Sequence, residues 1–571
     1  MAPGATCILD TAFGAGAGFL RAWQAFADAP SKTGLLHYVA LVEADCLPGA
    51  ETSTVASEPA LALAKALGAL GVAGLPAPGF YRLPFDQGRV LLTLCMGPRA
   101  NSLAQLRMQA DHILLDSDKA WTANELHRLQ ALARRGTTLA WSDARHLTDS
   151  SPALDAALWR PRGDGTLVFD PAWTLRRSRT APERAFEKPG RCTVIGAGIS
   201  GALVARALAL RGWHVTVLEQ GPQVASGASG LPAGLVSASG NSPADPLFSL
   251  SRSAYHLTRQ MLQSMLAQGK DWDEGGAIRP FAQGKQPGHS FSVKAEVKDD
   301  AAHLDATSAG SAGLPQALWL KPQALLRACL GAAGLTLRCN ASVDRLRFDA
   351  GQWQALDTQG EVLASSELLV LCNALDAVRL LDQAKNAPTD PLSPAARRAI
   401  AQLHPMYGSI SSGPAADLPN RPALPVQGHG HFLPAVPGAE GLQWLAGAGF
   451  ETMNSASDAD CHQGNLARVA RLVPGLAGPL QAQLKAGQLG LWRGQRCISH
   501  DRLPLVGPAA FGGESGLWMC LAMGARGLTF AALCAELLAG RLMGEALPLP
   551  VRLARLLDTQ RLQNRPTQDR D

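Results

Sequence analysis

The chain has 571 residues, of which 47% are hydrophobic and 17% charged, and Lys plus Arg outnumber Asp plus Glu by 52 to 47. At ~150 residues per domain this predicts three or four compact units, or fewer large ones, and it excludes both a single small module and a disordered chain. The mild positive excess permits an anionic partner but lacks the dense basic stripe of a protein that grips nucleic acid chiefly through phosphates.

The first block alternates short apolar runs with helical segments: a strand in CILDTAF, a helix over 19–26, a strand in LHYVALVEA, a helix over 61–70, strands in RVLLTLCM and DHILLD, a helix over 125–135, and a strand in TTLAWSD. Alternation at this pace predicts a parallel sheet with helices on its faces. Residues 171–190 carry Arg176, Arg177, Arg179, Arg184 and Lys188 among prolines. They read as a linker, or alternatively as a strap that contacts RNA. The predicted organisation is therefore 1–170, a linker over 171–190, and 191–571.

The second block opens with RCTVIGAGISG and closes with GLWMCLAMGARGLTFAALCAELLAG, each a strand, a glycine turn and a helix. The middle between them predicts a separate substrate layer. No export signal is predicted, since the N-terminus lacks a basic start followed by an apolar core. No membrane span is predicted either: the longest apolar stretch, 516–540, contains Arg526 and Glu536. The 11 cysteines form no CxxC pair, which predicts reduced thiols in a cytoplasmic protein and no structural zinc. His429 and His431 lack a third ligand and are expected in a loop near the cofactor layer or at the surface. Arg552, Arg555, Arg561 and Arg565 read as a solvated helix face, with an RNA contact as the alternative.

The strongest local signal is VIGAGISGALVARALALRGWHVTVLE. Gly196, Gly198 and Gly201 supply a tight turn, close approach to a pyrophosphate and close helix packing, and the helix start attracts the phosphates. Glu219 then stands where an acid accepts hydrogen bonds from a ribose. NAD and FAD share this fingerprint. In the closing segment, Gly524 and Gly527 flank Arg526, and a helix start there would offer partial positive charge to an anionic reduced flavin.

VIGAGISG, GASG at 227–230, WRGQRCISHDRLPLVGP at 492–508 and GARGL at 524–528 resemble the glycine oxidase and D-amino-acid oxidase class of flavoproteins. Within it they are most similar to the oxidoreductase half of the bifunctional bacterial family that makes 5-methylaminomethyl-2-thiouridine in tRNA. The resemblance spans roughly 190–560. It implies an α/β fold in which a Rossmann-like methyltransferase-type domain precedes an FAD-binding Rossmann-type domain with an interposed α+β layer. It implies FAD held by Gly196, Gly198, Gly201, Glu219, Gly227, Ser229, Gly524, Gly527 and Leu528, with Arg496 and Arg526 on the substrate carboxylate. The substrate it implies is a carboxymethylaminomethyl group on the wobble uridine, a glycine whose nitrogen is attached to the base. Oxidation between nitrogen and carboxylate, then hydrolysis of the imine, releases glyoxylate and leaves the aminomethyl nucleoside.

The first block has its own fingerprint in ILDTAFGAGAGFLRAWQAF and HYVALVEAD, and it resembles the methyltransferase half of the same family. That implies S-adenosylmethionine at Gly14, Gly16, Glu43 and Asp116. The chain departs from the family in its missing lead-in, in Gly97-Pro98 where the family has Gly-Asp, and in the short segment that follows Asp116. These changes fall on the methyl donor and acceptor pockets and favour a retained scaffold over methyl transfer. The rival readings are a free glycine or D-amino-acid oxidase and a non-catalytic tRNA-binding scaffold. A monomer with tRNA as partner, without metal or membrane, is expected.

Overall fold

The structure, a computed structural model, describes residues 5–29, 34–43, 57–70, 78–116, 120–141, 154–173, 186–238, 245–280, 311–384, 394–447, 449, 456–509 and 516–562. Arg176, Arg177, Arg179 and Arg184 of the expected linker, 117–119 and Arg565 lie outside them.

The first sheet has eight strands. Ala5–Asp10 lies between Leu35–Val42 and Ala110–Leu115, all parallel, with Val90–Met96 beyond Leu35–Val42 and Ala133–Trp141 beyond Ala110–Leu115. Every residue of Leu35–Val42, His37 included, is buried, as a strand in a sheet covered on both faces must be. Gly79–Phe85 adds an antiparallel edge that the sequence pattern does not announce. The helix expected over 125–135 runs Ala123–Gln130 instead, and 133–135 already belong to a strand. A capping box fixes the start: Thr122 and Glu125 satisfy each other's backbone N–H. Downstream, the Arg134 guanidinium is drawn to Asp111 on the neighbouring strand.

The second sheet has six strands in the order Leu335–Arg338, His214–Leu218, Arg191–Ile195, Leu368–Leu371, Leu517–Leu521 and Leu505–Pro508. Only the last pairs antiparallel. The helix Ile199–Ala209 is buried from Ile199 to Leu208, because it packs between this sheet and the helix Gly527–Met543. A largely apolar helix is what such a position requires; its Arg206 donates to the Gln87 carbonyl. The interposed layer is a seven-stranded sheet that includes Gly430–Gly438, Gly441–Gly447, Leu403–Pro414 and Gly490–Ser499.

The first sheet meets the second half of the chain across a buried ion network. Arg211 is bidentate to Glu545, with contacts of 2.8–3.0 Å, and reaches Glu536 at 3.0 Å. Arg82, from the antiparallel edge strand, donates to Glu536 at 2.8 Å, to the Ala546 carbonyl and to Thr93. His37 lies beside Arg82 and Glu545. Burial first, and the Arg82 charge second, lower its pKa to about 4. Glu545 is held down at about 2: burial opposes ionisation, and the Arg211 guanidinium more than offsets it.

Candidate active site

The strand Arg191–Ile195 has His214–Leu218 on one side and Leu368–Leu371 on the other, so a crevice opens at its carboxyl end where the order of strands reverses. Gly196 turns the chain there with φ at 101°, and a Cβ on it would lie 3.0 Å from the Cys372 carbonyl oxygen. Gly201 is more constrained. Its Cβ would stand 1.8 Å from the Gly196 carbonyl oxygen, so a side chain would push the helix off the turn. Gly198 caps that helix, and Gly227 leads into the short turn Ala228–Gly230, which brings Ser229 to the helix start. There the Ser229 hydroxyl accepts the Ile199 N–H at 2.9 Å.

Glu219 follows the strand His214–Leu218 and is 6% exposed. Its two oxygens accept the N–H groups of Ala197 at 2.8 Å and Gly221 at 2.9 Å. Each oxygen keeps a second lone pair, enough for two ribose hydroxyls. Asn373, at the carboxyl end of Leu368–Leu371, was missed by sequence reasoning. It lies against Gly196, with its Cα 3.1 Å from the glycine's would-be Cβ, and its buried Oδ1 has no partner among the described residues. A side-chain-free turn, a helix start, a placed carboxylate and an orphaned polar atom together fit the adenosine and pyrophosphate of a dinucleotide.

The C-terminal glycine turn reaches the same region. Gly524, with φ at 56°, precedes the helix Gly527–Met543. Gly527 would place a Cβ 3.7 Å from Ile199, the first residue of the other glycine-turn helix, so the two helix starts adjoin. Leu528 packs over Gly234 of the strand Gly234–Ser237. Two glycine-rich turns and two adjoining helix starts fit a flavin lying along the crevice.

Arg496 sits on the strand Gly490–Ser499 and is 8% exposed. It lies across Gly408 of the neighbouring strand and donates to the Gly449 carbonyl at 3.0 Å. Ile498 comes within 3.1 Å of the Cβ that Gly524 lacks. Residues two apart on a strand share a face, about 7 Å apart, so Arg496 faces the side on which Arg526 begins the helix. Burial lowers the pKa of Arg526, with the nearby Arg502 adding to the effect and Asp245 opposing it.

His431 is on the strand Gly430–Gly438, not in a loop; His429 alone occupies the hairpin turn before it. Burial, with the Arg496 charge second, lowers the His431 pKa to about 4, so its imidazole is neutral at pH 7. Arg561 is not a solvated tail residue. Its guanidinium grips Asp501 through two contacts, 2.9 and 3.0 Å, and donates to the Leu503 and Pro504 carbonyls. Arg552 and Arg555 are exposed.

In the first sheet, Gly14 and Gly16 follow Ala5–Asp10, Glu43 follows Leu35–Val42 and Asp116 follows Ala110–Leu115. All four lie at the carboxyl ends of three adjacent strands, the placement S-adenosylmethionine would need. The adenine side is altered. Pro98 offers neither carboxylate nor N–H, and the next amide, Arg99, is taken by Glu43 at 3.3 Å. Arg99 is also paired with Glu125 at 3.1 Å and stacked 4.1 Å over Trp121. The residues fit the glycine-loop and ribose ends of the donor, while Gly97-Pro98 offers the donor no carboxylate and only one N–H.

The family described as FAD dependent oxidoreductase matches residues 191–541. The chain is 38% identical to a protein of Albidiferax ferrireducens named tRNA 5-methylaminomethyl-2-thiouridine biosynthesis bifunctional protein MnmC, covering 97% of this chain and 92% of the relative. A protein of the same name from Polaromonas naphthalenivorans is 36% identical, covering 96% and 89%. Among solved structures, glycine oxidase from Geobacillus kaustophilus aligns with a TM-score of 0.47 at 21% identity, covering 62% of this chain and 94% of that one.

Proposed function

This chain belongs to the family of bifunctional tRNA 5-methylaminomethyl-2-thiouridine biosynthesis proteins, and from that membership we propose that it oxidises the wobble uridine of tRNA. The reaction removes the carboxymethyl group from 5-carboxymethylaminomethyl-(2-thio)uridine at position 34 and leaves the 5-aminomethyl form. The observation that carries this reading is the convergence of the two glycine-turn helix starts with Arg496 and Arg526 on one side of the substrate layer. We divide the chain accordingly into a methyltransferase-type unit over 1–170, a linker over 171–190 and the oxidoreductase over 191–571.

When bound, FAD supplies the two-electron acceptor. The residues of the chain supply binding and orientation. Arg496 and Arg526 hold the substrate carboxylate through charge-assisted hydrogen bonds. The carbon between nitrogen and carboxylate is thereby kept over the crevice, and such positioning lowers the barrier. The start of the helix Gly527–Met543 adds partial positive charge on the same side. Neutral His431 adds no competing cation beside Arg496. Oxidation at that carbon gives an imine, which water cleaves to glyoxylate and the aminomethyl nucleoside.

The methyltransferase-type unit keeps Gly14, Gly16, Glu43 and Asp116 in place for S-adenosylmethionine, but the Pro98 substitution favours a scaffold that docks tRNA over methyl transfer. Titration of the protein with S-adenosylmethionine tests this: micromolar binding would restore the second activity. The same reading makes the protein a cytoplasmic monomer with tRNA as its partner. Among the described residues no helix is long and apolar enough to cross a membrane, and no group of three His, Cys, Asp or Glu could hold a metal ion. Glyoxylate release from modified tRNA and from free glycine tests the central assignment. Release from glycine alone would favour a free amino-acid oxidase, and a colourless protein would favour a non-catalytic tRNA scaffold.

A further inference from the structure

The turn after the strand Gly490–Ser499 holds a third arginine. Arg502 is exposed, its φ is 59°, and its side chain makes no hydrogen bond or ion pair among the described residues. A non-glycine residue in the left-handed region costs free energy and persists where its surroundings over-determine it. Here they do. Asp501 accepts the Ser499 hydroxyl at 2.9 Å and the Leu503 N–H at 3.2 Å, and it is gripped by both arms of Arg561. Arg561 also ties down the Leu503 and Pro504 carbonyls, and the Arg502 N–H is fixed to the Ser499 carbonyl at 3.0 Å. A half-buried clamp therefore holds one strained residue with its charged side chain in solvent.

The charges around the site point to what that side chain meets. The Arg502 N–H is bonded to Ser499, the residue after Ile498, and Ile498 comes within 3.1 Å of the Cβ that Gly524 lacks, so this turn lies beside the glycine turn that carries Arg526; the Arg502 charge also helps to lower the Arg526 pKa, with Asp245 opposing it. The carboxymethylaminomethyl group brings one negative charge, and Arg496 and Arg526 already serve it. Arg502 is surplus to a glycine-sized substrate, lies at the solvent side of the same site, and has its backbone fixed there. We infer that Arg502 grips a backbone phosphate next to the wobble nucleotide and so makes the site prefer a polynucleotide to a free amino acid. The inference rests on the proposed tRNA reaction and adds to it the residue that reads the strand.

The test uses the flavin-loaded full chain as parent, Arg502→Ala, Arg502→Gly and Arg502→Lys. Glycine relieves the positive φ, so a loss common to the Ala and Gly variants is a loss of charge. For unfractionated tRNA, Kd is expected to rise about ten-fold in both, and the slope of log Kd against log salt to fall by about one; Lys should recover most of the affinity. KM for modified tRNA should rise in parallel, while the isolated modified nucleoside, which has no phosphate, keeps its kcat/KM within about two-fold. Unchanged Kd and salt slope would overturn the inference, as would equal losses on tRNA and nucleoside. Failure of the parent to release glyoxylate from modified tRNA would instead overturn the proposed reaction, and the binding comparison would still decide the role of Arg502.

Discussion

Replacing Arg211 with methionine is expected to destabilise the protein severely without touching the flavin crevice. Arg211 makes three contacts of 2.8–3.0 Å with Glu545 and two, of 3.0 and 3.3 Å, with Glu536. The side chains of Glu545 and Glu536 are 2% and 13% exposed. Without Arg211, two buried carboxylates face Arg82 and a neutral His37, and one negative charge is left uncompensated. Removing one partner of a buried pair costs about 3–5 kcal/mol, which for a chain of this size lowers the melting temperature by roughly 3–4 °C. Equilibrium urea unfolding, followed by tryptophan fluorescence and flavin release together, measures it. A double variant, Arg211→Met with Glu545→Met, should recover much of the loss, since apolar replacements of a buried pair are often neutral. A single-variant cost below about 1 kcal/mol, the value for exposed pairs, would refute the reasoning.

Gly201→Ala places a methyl group 1.8 Å from the Gly196 carbonyl oxygen and is expected to yield protein without bound flavin; a normal yellow spectrum after purification would count against the crevice. Arg496→Leu should keep its flavin and lose about 2–4 kcal/mol of transition-state binding, read as a drop in kcat/KM on modified tRNA; full activity would reject Arg496 as a carboxylate ligand. Acid should destabilise the fold early. His37 and His256 are lowered to about 4 and about 3, mainly by burial, so the unfolded chain binds more protons than the folded one between those values and about 6.5. Their contribution is complete above about pH 6.5 and is lost as pH falls through that window. Melting temperatures from pH 8 to 5 should show a decline that His256→Leu reduces, and a flat profile would contradict it.

The glycine-turn elements were legible because their residue types are forced by geometry. Gly196 needs a positive φ and Gly201 a missing Cβ, so both leave a local mark in the sequence. The strand–helix alternation of the first block was legible for the same reason, since its buried strands read as apolar runs. Contacts between distant segments were not. Asp501 and Arg561 are 60 residues apart and Arg82 and Glu536 are 454 apart; nothing in either neighbourhood announces the partner. One signal was available: Glu536 is an acid inside an otherwise apolar helical stretch, and a charge there has to be paired. Asn373 could have been suspected from its place two residues after the buried strand that ends at Leu371.

The most direct measurement of the central claim is an anaerobic titration of the purified, flavin-loaded protein with tRNA carrying carboxymethylaminomethyl-uridine, followed by nucleoside mass spectrometry of the same sample. The yellow absorbance should bleach in proportion to added tRNA, with equivalent glyoxylate and aminomethyl-uridine formed. A spectrum that stays oxidised with modified tRNA yet bleaches with free glycine would contradict the assignment.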